Sequence, residues 1–196
     1  GGKTGSKTGV TTGGWTNWYA WGLPAWESYY LRFAYQDTLL GLRFARTLQC
    51  VDKERIALDG VSQGGGTALA MAGLNHDVCA CMADVPSHCW WEKRINDRTG
   101  SASGIAEYLR RFPDDCKTVL ETMDYFDNLF FAESIRCPVL VSCGMKDPVC
   151  PPECVHAAVN RIPSDKQVIH YPFGEHDGGG SLHRERKLTW FKERFL

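Results

Sequence analysis

The chain has 196 residues, 43% of them hydrophobic and 23% charged, with a net charge of −1. That is one domain of ordinary globular composition. It has no basic surplus of the kind that would mark a nucleic-acid or anionic-membrane binder, and no apolar run near the roughly 18 residues of a membrane span.

The first fourteen residues, GGKTGSKTGVTTGG, hold six glycines and four threonines without periodicity and read as loop. Trp15, Trp18, Tyr19, Trp21 and Trp26 follow, too much aromatic surface to leave in water. From Ser28 to about Cys50 the pattern is that of an amphipathic helix, with Phe33, Leu40, Phe44 and Leu48 near one face. Strands and helices then alternate. Strands are expected at Arg55–Asp59, Val78–Val85, Pro138–Cys143 and Val168–Tyr171. Helices are expected through Ala68–Ala72, after Pro151 and Pro152, and from Ser181 through Trp190 to Phe195. Such alternation predicts an α/β fold with a mostly parallel, doubly wound sheet in a single domain. Residues 86–136 interrupt it with Trp90, Trp91 and two short helices near Ala102–Arg111 and Cys116–Met123. They read as an insertion over the carboxyl ends of the strands, where ligands bind in open α/β sheets.

Nine cysteines are present, an odd number, several inside apolar strand runs where the thiol acts as a small hydrophobe. Cys79 and Cys81 are expected on one face of a strand, Cys150 and Cys154 on one face of a helix. Without paired CxxC knuckles a structural zinc site is not expected, and reduced thiols in a cytoplasmic setting are.

The sharpest chemical signal is Gly60-Val61-Ser62-Gln63-Gly64. A G-x-S-x-G segment between a strand and a helix of small residues is the nucleophile elbow of the α/β-hydrolase fold. Ser62 must stand on a strained turn, and side chains two residues to either side would collide, hence Gly60 and Gly64. A serine nucleophile needs a base, and the base an orienting carboxylate, in the chain order Ser, Asp, His. Asp147 leaves the carboxyl end of the Pro138–Cys143 strand, and His176 lies in the glycine-rich loop after Val168–Tyr171. Asp124 and Asp127 are rivals inside the insertion. His170, His183, His76 and His156 stand in elements or beside turns and read as structural. Pro86, His88, Trp90 and Trp91 are candidates for lining the substrate pocket. The backbone N–H of Gln63, at a helix start, is one oxyanion donor. No strand before Ser28 offers the second.

These residues resemble the acetyl xylan esterase / cephalosporin C deacetylase family. The likeness rests on Gly60–Gly66, Ala83-Asp84-Val85-Pro86, Tyr125-Phe126-Asp127 with Phe131-Ala132, and Cys137-Pro138-Val139-Leu140-Val141. Asp147-Pro148-Val149-Cys150-Pro151-Pro152 and the His176 loop complete it. The resemblance implies the triad roles for Ser62, Asp147 and His176 and a backbone donor at Gln63. The implied reaction is deacylation of a small acetylated carbohydrate or similar ester, without metal or cofactor, nucleic acid or membrane. It leaves a homo-oligomer open. Other serine hydrolases of the same fold, lipase-like esterases or peptidases, remain alternatives, as does an inactive fragment. Asp177 stands where the family usually has Glu. The family also carries an upstream segment with an Arg-Gly-Gln motif and an oxyanion tyrosine. The expectation is therefore a fold without its N-terminal strands, poorly soluble and at most weakly active as it stands.

Overall fold

The computed structural model describes residues 17–196. The glycine-rich lead and Trp15 lie outside the described residues. Four parallel strands, β1 (Ala57–Val61), β2 (Ala80–Asp84), β3 (Val139–Gly144) and β4 (Lys166–Tyr171), lie side by side in chain order. Parallel neighbours require a crossover, and the chain supplies α2 (Gln63–Leu74) between β1 and β2 and α7 (Pro152–Val159) between β3 and β4. A long helix, α1 (Tyr30–Ala45), precedes the sheet, and another, α8 (Gly180–Phe195), closes the chain. Between β2 and β3 come α3 (Trp91–Asn96), α4 (Ala102–Arg111), α5 (Cys116–Asp124) and α6 (Asn128–Phe131).

Because strand side chains alternate between faces, each strand feeds two cores. Cys81, Ala83, Val139 and Val141 pack with Ala68, Leu69 and Ala72 of α2 and with Val155, Ala158 and Val159 of α7. Ala80, Met82 and Leu140 turn the other way, onto Trp190 of α8. Covered on both faces, β2 and β3 are buried at every position, which is why both read as largely apolar runs, broken by Asp84 and Ser142 near their carboxyl ends. Among the described residues no strand precedes Ala57 and nothing pairs with the outer edge of β1, where Val61 is 55% exposed.

The boundaries differ from the sequence expectation in instructive ways. β1 starts two residues after Arg55 and runs straight into Ser62. The buried face of α1 is Leu31, Tyr35 and Leu42, whereas Leu40 (59%), Phe44 (64%) and Leu48 are exposed. Apolar residues surround this helix, so its periodicity admitted two faces, and packing selected the one that meets α2 and the aromatics. β2 begins at Ala80, so Cys79 precedes it and packs toward the α8 side while Cys81 faces α2 and α7. Gly179, with φ +90°, caps α8 in place of the expected Ser181.

Residues 86–136 build a second core with the N-terminal aromatics. Tyr19, Tyr29, Tyr35, Trp91, Ile105, Tyr108, Val119, Met123 and Phe126 are buried together. Tyr19, with Trp18 packed against it, therefore finds its cover in the helices of that segment, whereas Trp26 stays exposed.

Candidate active site

Ser62 follows the last residue of β1 and precedes the first of α2, with φ 57° and ψ −113°, a conformation that non-glycine residues rarely adopt. Three backbone hydrogen bonds hold it there. Its N–H donates to the Asp84 carbonyl at 2.8 Å, and its own carbonyl accepts from Gly66 and Ser87, each at 2.9 Å. A Cβ at Gly60 would strike the backbone of Gly64. The converse expectation needs correction: a Cβ at Gly64 itself would meet nothing among the described residues. The glycine demanded by the elbow is the one before the serine.

Asp147 sits in the loop leaving β3 and is buried, 4% exposed. Its Oδ1 accepts from the backbone N–H groups of Val149 (2.7 Å) and Cys150 (2.9 Å), which fixes the carboxylate plane. Oδ2 is then left for His176, whose Nδ1 lies 2.8 Å away. His176 leaves the neighbouring strand β4, and the two loops are stitched together by Met145 N–H to the Tyr171 carbonyl (3.0 Å) and Lys146 N–H to the Gly174 carbonyl (2.9 Å). Asp177, the departure from the usual Glu, folds its side chain back to accept from the Glu175 N–H at 3.0 Å. The imidazole Nε2 reaches Ser62 Oγ at 2.8 Å. With Asp147 accepting from Nδ1–H, Nε2 is the free base that can receive the serine proton. Gln63 opens α2, so its N–H belongs to the first turn, where backbone donors lack helical acceptors and the helix dipole favours negative charge.

The hydrogen bond that His176 donates to Asp147, and after it the neighbouring Cys150, raise the His176 pKa above the ordinary imidazole value. A general base works only when neutral, so activity rises with pH as His176 loses its proton. The acid limb of kcat/KM is expected above the ordinary value of about 6.5. Asp147→Asn should move it downward, and a limb unmoved by that substitution would separate it from His176.

The rival residues are occupied elsewhere. Asp127 accepts from the N–H groups of Trp90 (2.9 Å), Trp91 (2.7 Å) and Leu129 (2.9 Å), and burial pushes its carboxyl up to about 6. Asp124 and His76 are exposed. His170 pairs with His156 at 3.1 Å. Burial corrects the pocket expectation for His88 and Trp91. His88 is wholly enclosed, with Tyr19 Oη 3.2 Å from Nε2 and Tyr35 Oη 3.0 Å from Nδ1, and burial lowers its pKa to about 3. Trp91 is buried and donates its indole N–H to the Phe126 carbonyl. Pro86 is buried and Trp90 half-buried. The partners that cover His88 and Trp91, namely Tyr19, Tyr35 and Phe126, lie far away in sequence, which is why the two residues read as a pocket lining.

One arrangement went unread. Lys187 donates to Asp59 (2.7 Å) on β1 and Asp84 (2.6 Å) on β2, and His183 Nε2 lies 2.9 Å from Asp84. His183 Nδ1 is also 3.0 Å from Tyr171 Oη. Burial pushes Asp84 upward, and His183 and Lys187 more than offset it, leaving the carboxyl below its usual range. Two helix residues four apart thus dock α8 onto the strands on either side of the elbow. The signal was that i, i+4 spacing, but nothing in the sequence named its acidic partners.

The family model for acetyl xylan esterase matches residues 1–194. The chain belongs to the acetyl xylan esterase family. An acetyl xylan esterase from Paenibacillus sp. R4 superposes with a TM-score of 0.93 at 30% identity, covering 98% of this chain and 62% of that one. Acetyl xylan esterase 1 from Thermoanaerobacterium sp. JW/SL YS485 gives 0.88 at 25% identity, covering 100% and 63%. Acetyl esterase Axe7A of Xylanibacter ruminicola is 30% identical over 155 residues, 79% of this chain and 35% of that protein. The chain thus spans under two thirds of the length of these relatives. Its sheet and helices are those of the α/β-hydrolase fold.

Proposed function

We propose that this acetyl xylan esterase family member is a serine esterase that removes acetyl groups from carbohydrate or related esters. The observation that carries the reading is the continuous chain from Asp147 through His176 to Ser62, two contacts of 2.8 Å in the required order. Ser62 Oγ attacks the ester carbonyl while His176 Nε2 takes its proton. The developing oxyanion meets the Gln63 N–H. As the tetrahedral species collapses, His176 returns the proton to the departing alcohol, leaving an acetyl-serine. Water, deprotonated by the same imidazole, then releases acetate. Every step uses groups of this chain, with Asp147 holding the imidazole in orientation.

Substrate size is where this reading parts from a lipase-like one. Segment 86–136 presses on the acid loop, with an Arg94 N–H donating to the Val149 carbonyl at 3.1 Å, and we read that segment as bounding the acyl site. A series of aryl esters should therefore lose kcat/KM steeply beyond two to four carbons, each misfit methylene costing about 10-fold or more. A flat or rising series would favour the lipase-like alternative. The nine cysteines, six of them buried, suit a reducing compartment, and we place the protein in the cytoplasm on that ground. Among the described residues no helix is long and apolar enough to cross a membrane.

A further inference from the structure

The loop that supplies Asp147 also supplies Cys150, and both side chains face His176. A carboxylate oxygen, the Cys150 sulfur and an imidazole nitrogen all lie within 4.8 Å of one another. The nitrogen turned toward Asp147 is Nδ1. Asp147 and Cys150 are 4% and 2% exposed, so the cluster is shielded from bulk water on the side away from Ser62. The loop backbone also fixes it, because the Cys150 N–H donates to Asp147 Oδ1 at 2.9 Å and ties the two ligating residues together.

Carboxylate, thiolate and imidazole form a mixed donor set that suits a thiophilic divalent cation such as zinc or cadmium. Around tetrahedral zinc, bond lengths of about 2.0–2.3 Å place ligand atoms roughly 3.3–3.7 Å apart. The 2.8 Å between Asp147 Oδ2 and His176 Nδ1 would have to open by about half an ångström, and the widest spacing in the cluster, up to 4.8 Å, would have to close by about an ångström, both side-chain adjustments.

We propose that Asp147, Cys150 and His176 form an inhibitory binding site for such a cation, which competes with the triad for the same imidazole. In the resting triad the ring proton sits on Nδ1 and Nε2 is free. A cation bound at Nδ1 needs that lone pair, so the ring proton shifts to Nε2. Cys150 gives up its S–H proton to solvent and becomes the thiolate ligand, so one proton is released for each cation bound to the neutral ring, and a second when His176 starts as the imidazolium. An imidazole protonated at Nε2 and held by metal at Nδ1 cannot accept the Ser62 proton. Binding and turnover exclude each other, and a chelator reverses the exclusion.

The inhibition readout rests on the esterase reading, whereas binding itself does not, so the test uses both. The full natural-length protein would be titrated with zinc chloride while aryl acetate hydrolysis is followed. The same titration would be run on Cys150→Ala and on a Cys50→Ser/Cys116→Ser variant that removes the two exposed thiols. Calorimetry on Ser62→Ala, which keeps all three ligands and lacks the nucleophile, would count bound zinc without activity. The expected result is one zinc per chain, inhibition reversed by EDTA, and unchanged sensitivity when Cys50 and Cys116 are replaced. Cys150→Ala should need at least the roughly 10–100-fold more zinc that loss of a mere supporting partner costs a metal site. Equal zinc sensitivity in Cys150→Ala, or an active parent indifferent to zinc, overturns the proposal. Should Cys150→Ala fail to fold, cadmium added to Ser62→Ala in the Cys50→Ser/Cys116→Ser background decides. Thiolate-to-cadmium absorption, with one cadmium bound per chain, supports the site, and its absence refutes it. Zinc binding in a protein without ester hydrolysis would retire the esterase reading and leave the metal site standing.

Discussion

Replacing Ser62 or His176 by alanine is expected to lower kcat on an aryl acetate by roughly 10⁴–10⁶-fold, with KM little changed. The reason is the unbroken hydrogen-bond chain: without His176 the Ser62 hydroxyl loses the base bonded to it, and without Ser62 the base loses the nucleophile it would activate. Because the two act as a unit, the double variant should be no worse than the more damaged single one. Asp147→Asn should cost about 10⁴, since the amide turns the imidazole into the wrong tautomer. An organophosphonate probe should add one mass equivalent to the parent and none to Ser62→Ala. Labelling that survives in Ser62→Ala, or turnover in His176→Ala within tenfold of the parent, would remove these residues from the reaction.

The second large effect is on stability. Lys187→Met should destabilise the fold by about 3 kcal/mol, because it strands the Asp84 carboxylate with only His183 beside it and removes the tie between α8 and β1. The figure sits at the low end for breaking a buried pair, since the Asp59 side chain is half exposed and can be rehydrated. For a domain of this size that is a melting temperature lower by roughly 6–12 °C. Arg55→Ala provides the contrast. Its partner Asp52 is close, at 2.6 Å, yet both side chains are about half exposed, so solvent screens the pair and its loss should leave the melting temperature nearly unchanged. If the two variants melt together, the Lys187 cluster holds nothing that the surface pair does not.

What the sequence revealed follows from which forces were local. β2 and β3 stood out as apolar runs because both their faces are covered. Ser62 stood out because the elbow constrains backbone conformation at fixed spacing, and Asp147 and His176 because each follows a strand end that could be located. The structure brings those three side chains into one hydrogen-bonded line. Other features depend on partners distant in the chain. His88 could be placed in the core only by knowing that Tyr19 and Tyr35 enclose it, 69 and 53 residues earlier. The face of α1 was undecidable from a pattern with apolar residues all round. The Lys187 pairs span 128 and 103 residues, and two isolated acids and a lysine carry no signature that would join them.

The hydrogen bond between Ser62 and His176 closes a separation of 114 residues, and this has a consequence in time. At a synthesis rate of about 5–20 residues per second, the ribosome makes Ser62 roughly 6–23 s before it makes His176. Throughout that interval the elbow can exist only as an unactivated alcohol, because the imidazole has yet to be polymerised. Even then the base cannot be placed until β4 has joined β3, for the loop that carries it hangs from that strand. On the proposed mechanism, reactivity therefore waits for the last strand, and a chain interrupted before it carries the elbow without its base.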